Sequence, residues 1–335
     1  MKIIVTGGCG FIGSNFVLKM ASNESNKLLI IDKLTYAGNQ NNLSSIKHKS
    51  NYTFIRADIC DKKPIEDAIN NFHPDAIVHF AAESHVDNSI SGPMSFINTN
   101  ILGTAMLLEI CQSYIKSQNN NYFKFLHVST DEVFGSLKST GSFSEKSPYN
   151  PSSPYSASKA SSDHLVRAWY KTYNFPVLIT NCSNNYGPYQ YPEKLIPLII
   201  KNCIDEKPLP IYGKGMNIRD WLFVEDHCDA IYSVLLDGKV GETYNIGGNN
   251  ELQNIEIVKH ICSIMDEVKP RKNGQSYDNL ILFVPDRPGH DFRYSINTSK
   301  IKKELGWKPK ESFKSGIRKT IKWYLDNMNW LKGSE

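Results

Sequence analysis

Eight residues near the N-terminus restrict this chain more than any other stretch. Thr6-Gly7-Gly8-Cys9-Gly10-Phe11-Ile12-Gly13 follows a short β-branched run at 2–6 and opens a segment of helical periodicity at 11–21. Glycines at 7, 10 and 13, and equally at 8, 10 and 13, permit a tight turn, close approach of the backbone to a pyrophosphate, and close packing of helix on strand. The N–H groups of the first helical turn then face the negative charge. A lone glycine pattern is weak, but here it stands between a strand and a helix, the setting a dinucleotide site requires.

The N-terminal half keeps the rhythm this turn begins. Apolar runs recur at 27–32, 52–58, 76–82, 123–130 and 176–182, and helical stretches at 64–72, 94–114 and 156–173 separate most of them. Continuous rather than alternating apolar runs belong to strands buried on both faces. The expected fold is therefore α/β, a doubly wound parallel sheet of the Rossmann kind, with a smaller irregular C-terminal substrate domain. The change comes after residue 185, where Gly187-Pro188, Pro208, Pro210, Gly213 and Gly215 break the pattern. We expect a cofactor-binding domain over 1–185, with segments around 218–248 returning to it, and a substrate domain over 186–335. The polar insert at 269–280 reads as a surface loop, and 313–325 as a closing amphipathic helix.

Composition excludes several classes. Lys plus Arg number 38 against 34 Asp plus Glu, a net charge of +4 with no basic stripe, which argues against a nucleic-acid partner. No uninterrupted apolar run approaches the roughly 18 residues of a bilayer span, so no membrane is expected. Seven cysteines at 9, 60, 111, 182, 203, 228 and 262 form no CxxC and no Cys/His cluster. That dispersion implies reduced thiols in a cytoplasmic protein, and no metal site.

Two further features point to chemistry. Asp32 ends the second run, where a carboxylate can hold a ribose diol and repel a 2′-phosphate, favouring NAD+ over its phosphorylated analogue. Lys33 beside it softens that preference. Asp58-Ile59 falls at an adenine edge, although an ordinary strand-end carboxylate fits Asp58 nearly as well. Tyr155 and Lys159 stand four apart at the start of a helix and share a face. An ammonium there, with the cofactor's positive charge, would stabilise a phenolate and lower the tyrosine pKa.

With these residues the chain resembles the extended short-chain dehydrogenase/reductases, and among them most closely the bacterial dTDP-glucose 4,6-dehydratases. The resemblance runs through AAESHVD (81–87), STDEVFG (129–135), PYSASKA (154–160), SNNYGPYQYPEKLIP (183–197), RDWLFVEDH (219–227), YNIGG (244–248) and DRPGHDFRY (286–294). It covers essentially the whole chain. Adjacent carboxylates at Asp131 and Glu132 set it apart from the sugar-nucleotide 4-epimerases, since elimination of water needs both an acid and a base.

The resemblance implies a mechanism and a site. Tyr155 takes the O4 proton, Lys159 supports it, Glu132 removes the C5 proton, Asp131 protonates the departing C6 hydroxyl, and Thr130 holds the ring near O4. NAD+ would lie against Gly7, Gly10, Phe11, Ile12 and Gly13, with Asp32, Lys33, Leu34, Thr35, Asp58 and Ile59 around its adenosine end. Phe80, Ala81, Ala82 and Thr99 add cofactor contacts, and Ser84 and Asn185 are shared with substrate. Arg219 and Arg287, with Asn184, Lys194 and Leu195 nearby, would meet the diphosphate or ribose. Asn254, His290 and the segment from Pro210 to Tyr212 would frame the sugar and base.

The implied reaction converts dTDP-glucose to dTDP-4-keto-6-deoxyglucose and water, feeding 6-deoxyhexose synthesis such as that of L-rhamnose. A homodimer through helices at about 94–114 and 154–173 is also implied. Asn88, Phe134 and Phe292 depart from the family pattern, which usually shows arginine, tyrosine and arginine there. UDP-glucose or another hexose nucleotide stays open as substrate, as do a 4-epimerase and a non-catalytic dinucleotide sensor.

Overall fold

The computed structural model describes residues 1–118, 122–286 and 288–333. In chain order, β1 (Lys2–Thr6), α1 (Phe11–Ala21), β2 (Lys27–Asp32), β3 (Tyr52–Arg56), α2 (Lys62–Phe72) and β4 (Ala76–His79) come first. Then follow α3 (Val86–Ser91), α4 (Pro93–Phe96), α5 (Thr104–Gln118), β5 (Lys124–Thr130), α6 (Pro154–Tyr173) and β6 (Val177–Cys182). The C-terminal part holds β7 (Asn184–Tyr186), α7 (Leu195–Ile204), β8 (Leu209–Tyr212), β9 (Ile218–Phe223), α8 (Val224–Asp237) and β10 (Thr243–Ile246). It ends with β11 (Glu251–Gln253), α9 (Asn254–Val268), β12 (Ile281–Val284), α10 (Ser299–Leu305), α11 (Phe313–Asp326) and α12 (Met328–Lys332).

The main sheet runs β10-β6-β5-β4-β1-β2-β3 and every pair in it is parallel. Its central strands are buried on both faces, as their unbroken apolar runs require. One face packs on α1 and α8 around Phe16, Val17, Ile231 and Val234. The other packs on α2, α5 and α6 around Ile69, Leu107, Cys111 and Val166. The strands expected at 52–58 and 76–82 end earlier, at Arg56 and His79. The residues beyond leave the sheet's pairing and become the wall of a cleft.

A third core, with Tyr186, Ile200, Trp221, Ile261 and Ile317, unites α7, α9 and α11. Of the segment around 218–248 expected to return to the cofactor-binding domain, β10 pairs into the main sheet and α8 packs on its face, but β9 does not join it. It pairs with β7 and β11 in a three-stranded sheet, because β7 begins two residues after β6 and draws β9 alongside itself. The insert at 269–280 is not wholly loop. It closes in a 3-10 turn, Tyr277–Leu280, and buries Tyr277, whose hydroxyl donates to the Lys269 carbonyl at 2.8 Å. A single buried aromatic leaves no period to read.

The helix expected at 94–114 is longer. A π-helical stretch, Ile97–Gly103, joins α4 to α5 in one rod from Pro93 to Gln118. By length and composition alone the rod is long and apolar enough to span a bilayer, but polar residues interrupt it and it packs as a helix of the core. Its inner face packs on α2 and α6. The π stretch turns Asn100 inward, where it accepts from the Glu83 backbone N–H (2.9 Å) and donates to the Glu83 carbonyl (3.0 Å) and Ser158 Oγ (2.8 Å). Such bulges recur at functional sites, and here one clamps the segment after β4 to α6.

Candidate active site

The carboxyl ends of the parallel strands open on one cleft of about 310 Å³. Ligands bind at that edge of such sheets. Gly7, Gly10, Phe11, Ile12, Gly13, Asp32, Lys33, Thr35, Asp58, Ile59, Phe80, Ala81, Ala82, Ser84, Thr99 and Asn185 all line it, as do Thr130, Asp131, Glu132, Tyr155, Lys159, Asn184 and Lys194. Leu34 is not in the lining. It takes a left-handed φ of 57° behind Asp32, and its N–H donates to that carboxylate at 2.8 Å.

The glycine turn has the shape a dinucleotide needs. A Cβ on Gly13 would lie 2.2 Å from the Gly7 carbonyl oxygen, and one on Gly7, at φ +68°, 2.6 Å from the Ala81 nitrogen. Nothing larger than hydrogen fits either place. Gly13→Ala is therefore expected to cost about 1–3 kcal/mol of stability by overpacking and to abolish NAD+ retention. A thermal melt with and without added NAD+ checks both, and a parental melting point would refute the close contact.

Asp32 accepts from the Cys9 N–H (2.9 Å) as well, tying the turn to the loop after β2. Burial pushes its pKa up, and the two backbone hydrogen bonds oppose that. Lys33 does not temper it in the way expected. Its ammonium turns away to Asp58 at 2.5 Å, so the carboxylate faces the cleft without a cationic partner at its side.

The reacting end is built by two caps. Thr130 ends β5 and caps the 3-10 turn Asp131–Phe134, its Oγ1 accepting from the Glu132 N–H at 3.2 Å. This aims both carboxylates from the sheet's mouth. Ser153 caps α6 through a reciprocal box with Ser156, and Pro154 starts the helix, so Tyr155 falls in its first turn and Lys159 in its second.

The two carboxylates are not equivalent. Asp131 is 1% exposed, with Thr130 Oγ1 3.4 Å from its Oδ1 and no hydrogen-bond partner at Oδ2. Burial first, then the charges of Glu132 and Asp220, push its pKa well up, against a weaker pull from Arg219. Its environment thus favours the protonated form more than that of Glu132, which is only partly buried. Environments that split two neighbouring carboxyls assign one the acid's part and the other the base's.

In the chain alone, burial and the charge of Glu132 push the Tyr155 pKa well above the usual phenol range, with Thr130's hydrogen bond in opposition. The Lys159 ammonium donates to the Val128 carbonyl at 2.9 Å. The expected lowering of the phenol pKa drew on the cofactor's positive charge as well as on this ammonium.

The substrate set divides. Ser84, Thr130, Asn184 and Lys194 meet in the cleft, with Lys194 Nζ on the Ser84 carbonyl at 2.9 Å and the buried Asn184 Oδ1 without a hydrogen-bond partner. Leu195, Pro210, Tyr212, Asn254 and His290 lie outside that lining. Tyr212 bonds Asp87 (3.2 Å) and His290 bonds Asp286 (2.6 Å). Arg219 is buried, stacked 4.2 Å over Tyr294, and donates to the carbonyls of Ile218, Asp291 and Phe292. It braces the segment after 290. Arg287 lies outside the described residues. Of the departures, Asn88 and Phe292 are exposed, and Phe134 is buried against Phe143 and Tyr149.

The cleft also contains residues that sequence reading missed. Glu83, Ser183, Gln190, Tyr191 and Glu193 line it, and Tyr36 closes over it by donating to Glu193 at 3.1 Å. These lining residues fall within the strings at 81–87 and 183–197 that carry the resemblance, but mostly in loops without a period, so nothing in their spacing singled them out as cleft residues.

Comparison with known proteins gives consistent matches. A family model described as GDP-mannose 4,6 dehydratase matches residues 4–320. A dTDP-glucose 4,6-dehydratase of Neisseria meningitidis is 55% identical over 98% of this chain and 94% of its own. The crystal structure of a Bacillus anthracis dTDP-glucose 4,6-dehydratase in complex with NAD superposes with a TM-score of 0.90 at 48% identity, covering 100% of both chains. A Streptomyces venezuelae dTDP-glucose 4,6-dehydratase with NAD bound gives 0.91 at 42%, again over 100% of both.

Proposed function

The chain belongs to the GDP-mannose 4,6-dehydratase family, among the dTDP-glucose 4,6-dehydratases of the extended short-chain dehydrogenase/reductases, and we propose that five of its residues divide the reaction between them. The enzyme is an NAD+-dependent hydro-lyase that converts dTDP-glucose to dTDP-4-keto-6-deoxyglucose and water. Bound NAD+ supplies the hydride acceptor for C4 and the hydride donor for C6.

In our reading, Tyr155 accepts the O4 proton as the alcohol becomes a ketone, with Thr130 holding the oxygen. That ketone acidifies the C5 proton. Glu132 removes it, and Asp131 gives its own proton to the C6 hydroxyl, which leaves as water. The protons held by Tyr155 and Glu132 then pass on, one to C5 and one to Asp131, so the product keeps its 4-ketone and the chain ends as it began. Lys194 and Asn184 are placed to meet the nucleotide's phosphates, and the glycine turn holds the cofactor's pyrophosphate.

The observation that carries this division is the buried Asp131, its pKa pushed up by desolvation and the neighbouring charges, next to the only partly buried Glu132. A 4-epimerase has no use for that pair. Incubation with dTDP-glucose is expected to yield a 4-keto-6-deoxy sugar, seen by its ultraviolet absorbance in alkali. Formation of dTDP-galactose instead would overturn the reading.

We further propose a division near residue 185 between cofactor and substrate domains, with α8 and β10 assigned to the first. Met94, Ile97 and Leu102 on the rod from Pro93, with Ile90 on α3 just before it, are exposed apolar side chains; a second copy covering them would make the homodimer. All seven cysteines are free thiols, which suits a reducing cytoplasm. The product's 6-deoxy carbon suits supply of 6-deoxyhexoses such as L-rhamnose.

A further inference from the structure

Tyr155 and Lys159 begin a longer stripe. Asp163 and Arg167 continue it at the same four-residue spacing along α6. The reaction as described uses neither of them. Asp163 is fully buried, a costly place for a carboxylate unless it has partners.

Its partners form one network behind the lysine. The ring nitrogen Nε2 of His127, on β5, lies 3.2 Å from Asp163 Oδ1 and 3.5 Å from Lys159 Nζ. Oδ2 accepts from the Tyr149 hydroxyl (2.7 Å) and from Asn181 Nδ2 (3.2 Å). Asn181 also donates to the Thr130 carbonyl at 3.1 Å, so the same carboxylate indexes the turn that carries Asp131 and Glu132. Arg167 anchors the far side through the Tyr149 hydroxyl at 2.5 Å.

We propose that Asp163 is the buried counter-ion of Lys159, a positioning residue that keeps the lysine charged and aimed beneath the cofactor cleft. The charged and titratable groups around the lysine come from four elements. α6 brings Asp163, Tyr155 and, further off, Arg167; β5 brings His127; β4 brings His79; and the end of β6 brings Cys182. Burial drives His127 down to about 4 and His79 well below its usual range, so both rings are neutral near pH 7. Burial pushes the Cys182 thiol and, in the chain alone, the Tyr155 phenol up.

Asp163 is the group in this set that bears negative charge. Burial alone would raise its pKa, yet His127, Lys159 and Arg167 hold it down at about 2. Burial pulls the Lys159 pKa down, and Asp163 is the first group opposing that loss. Without the carboxylate the ammonium would be a lone charge in a desolvated site and would shed its proton at lower pH.

The test rests on the dehydratase reading for its first arm only. In Asp163→Asn, an isosteric change, the alkaline limb of kcat is expected to move down by about one pH unit or more, a loss of about tenfold on that limb with little change on the acid side. Asp163→Glu, which restores the charge, is expected to keep the parental limb. Equal loss at every pH, or an unmoved limb, would make Asp163 merely structural and overturn the proposal.

The second arm needs neither substrate nor the Asn variant. In the parent protein labelled with 13C-lysine, the Lys159 signal is identified by its loss in Lys159→Arg. It is expected to keep an ammonium shift through neutral pH. A neutral-amine shift there would overturn the counter-ion even if no hexose nucleotide proved to be a substrate.

Discussion

Glu132→Gln, supplied with dTDP-glucose, is expected to reduce its bound nicotinamide and then stop. The substitution keeps the shape of the side chain. The turn beneath it is held by the backbone N–H of residue 132 on Thr130 Oγ1, which the change does not touch. What is lost is the base for the C5 proton. Positioned general bases are worth about 10²–10⁴-fold, so product formation should fall by that factor. The first hydride transfer should not slow. Glu132's charge raises the pKa of both Tyr155 and Asp131, so removing it eases ionisation of the phenol. The signature is a near-ultraviolet band of reduced nicotinamide that appears on mixing and persists. Normal release of the 4-keto-6-deoxy product would show that another group takes the C5 proton.

Tyr155→Phe is expected to fail one step earlier, with no reduced nicotinamide and a loss of similar size, about 10²–10⁴-fold. The ring itself should stay in place, packed edge-on to Phe96 at 6.3 Å between centroids. Cofactor content and melting temperature should therefore be close to parental. A single-turnover mixing experiment separates the two variants: one halts after reduction, the other before it. Prompt reduction of the nicotinamide by Tyr155→Phe would remove the phenol from its role. Because the phenol is pushed up by burial in the protein alone, the cofactor's positive charge has a definite task in bringing it into range.

The contrast between Tyr155 and Asp163 shows how much could be read in advance. Tyr155-x-x-x-Lys159 announces itself as a pair, and the carboxylates at 131 and 132 do so by adjacency. Asp163 lies one helical turn further on, in a segment rich in Ser and Ala, and nothing in its spacing distinguishes a buried counter-ion from a solvated surface acid. Arg219, expected near the diphosphate or ribose, shows another side of this: its guanidinium also donates to three backbone carbonyls and stacks on Tyr294, contacts that no spacing announces.

Lys33 and Tyr277 teach the same lesson at smaller scale. The lysine next to Asp32 in sequence pairs with Asp58, at the foot of the neighbouring strand. Tyr277 turned an expected loop into a packed turn, because one buried ring can anchor a short segment that has no period.

The residues alone determined the sheet, its helices, the cofactor turn and which side chains are candidates for the chemistry. Those are set by local rules: apolar runs select buried strands, glycines permit a backbone approach, and four-residue spacing selects a helix face. Only the tertiary structure decided burial and partnership. It buried Asp131 beside a partly exposed Glu132, put the Lys159 ammonium on the Val128 carbonyl, and buried the Asp163 carboxylate one helical turn beyond the lysine. Desolvation and charge pairing depend on what the rest of the chain places within a few ångströms, and no local pattern encodes that.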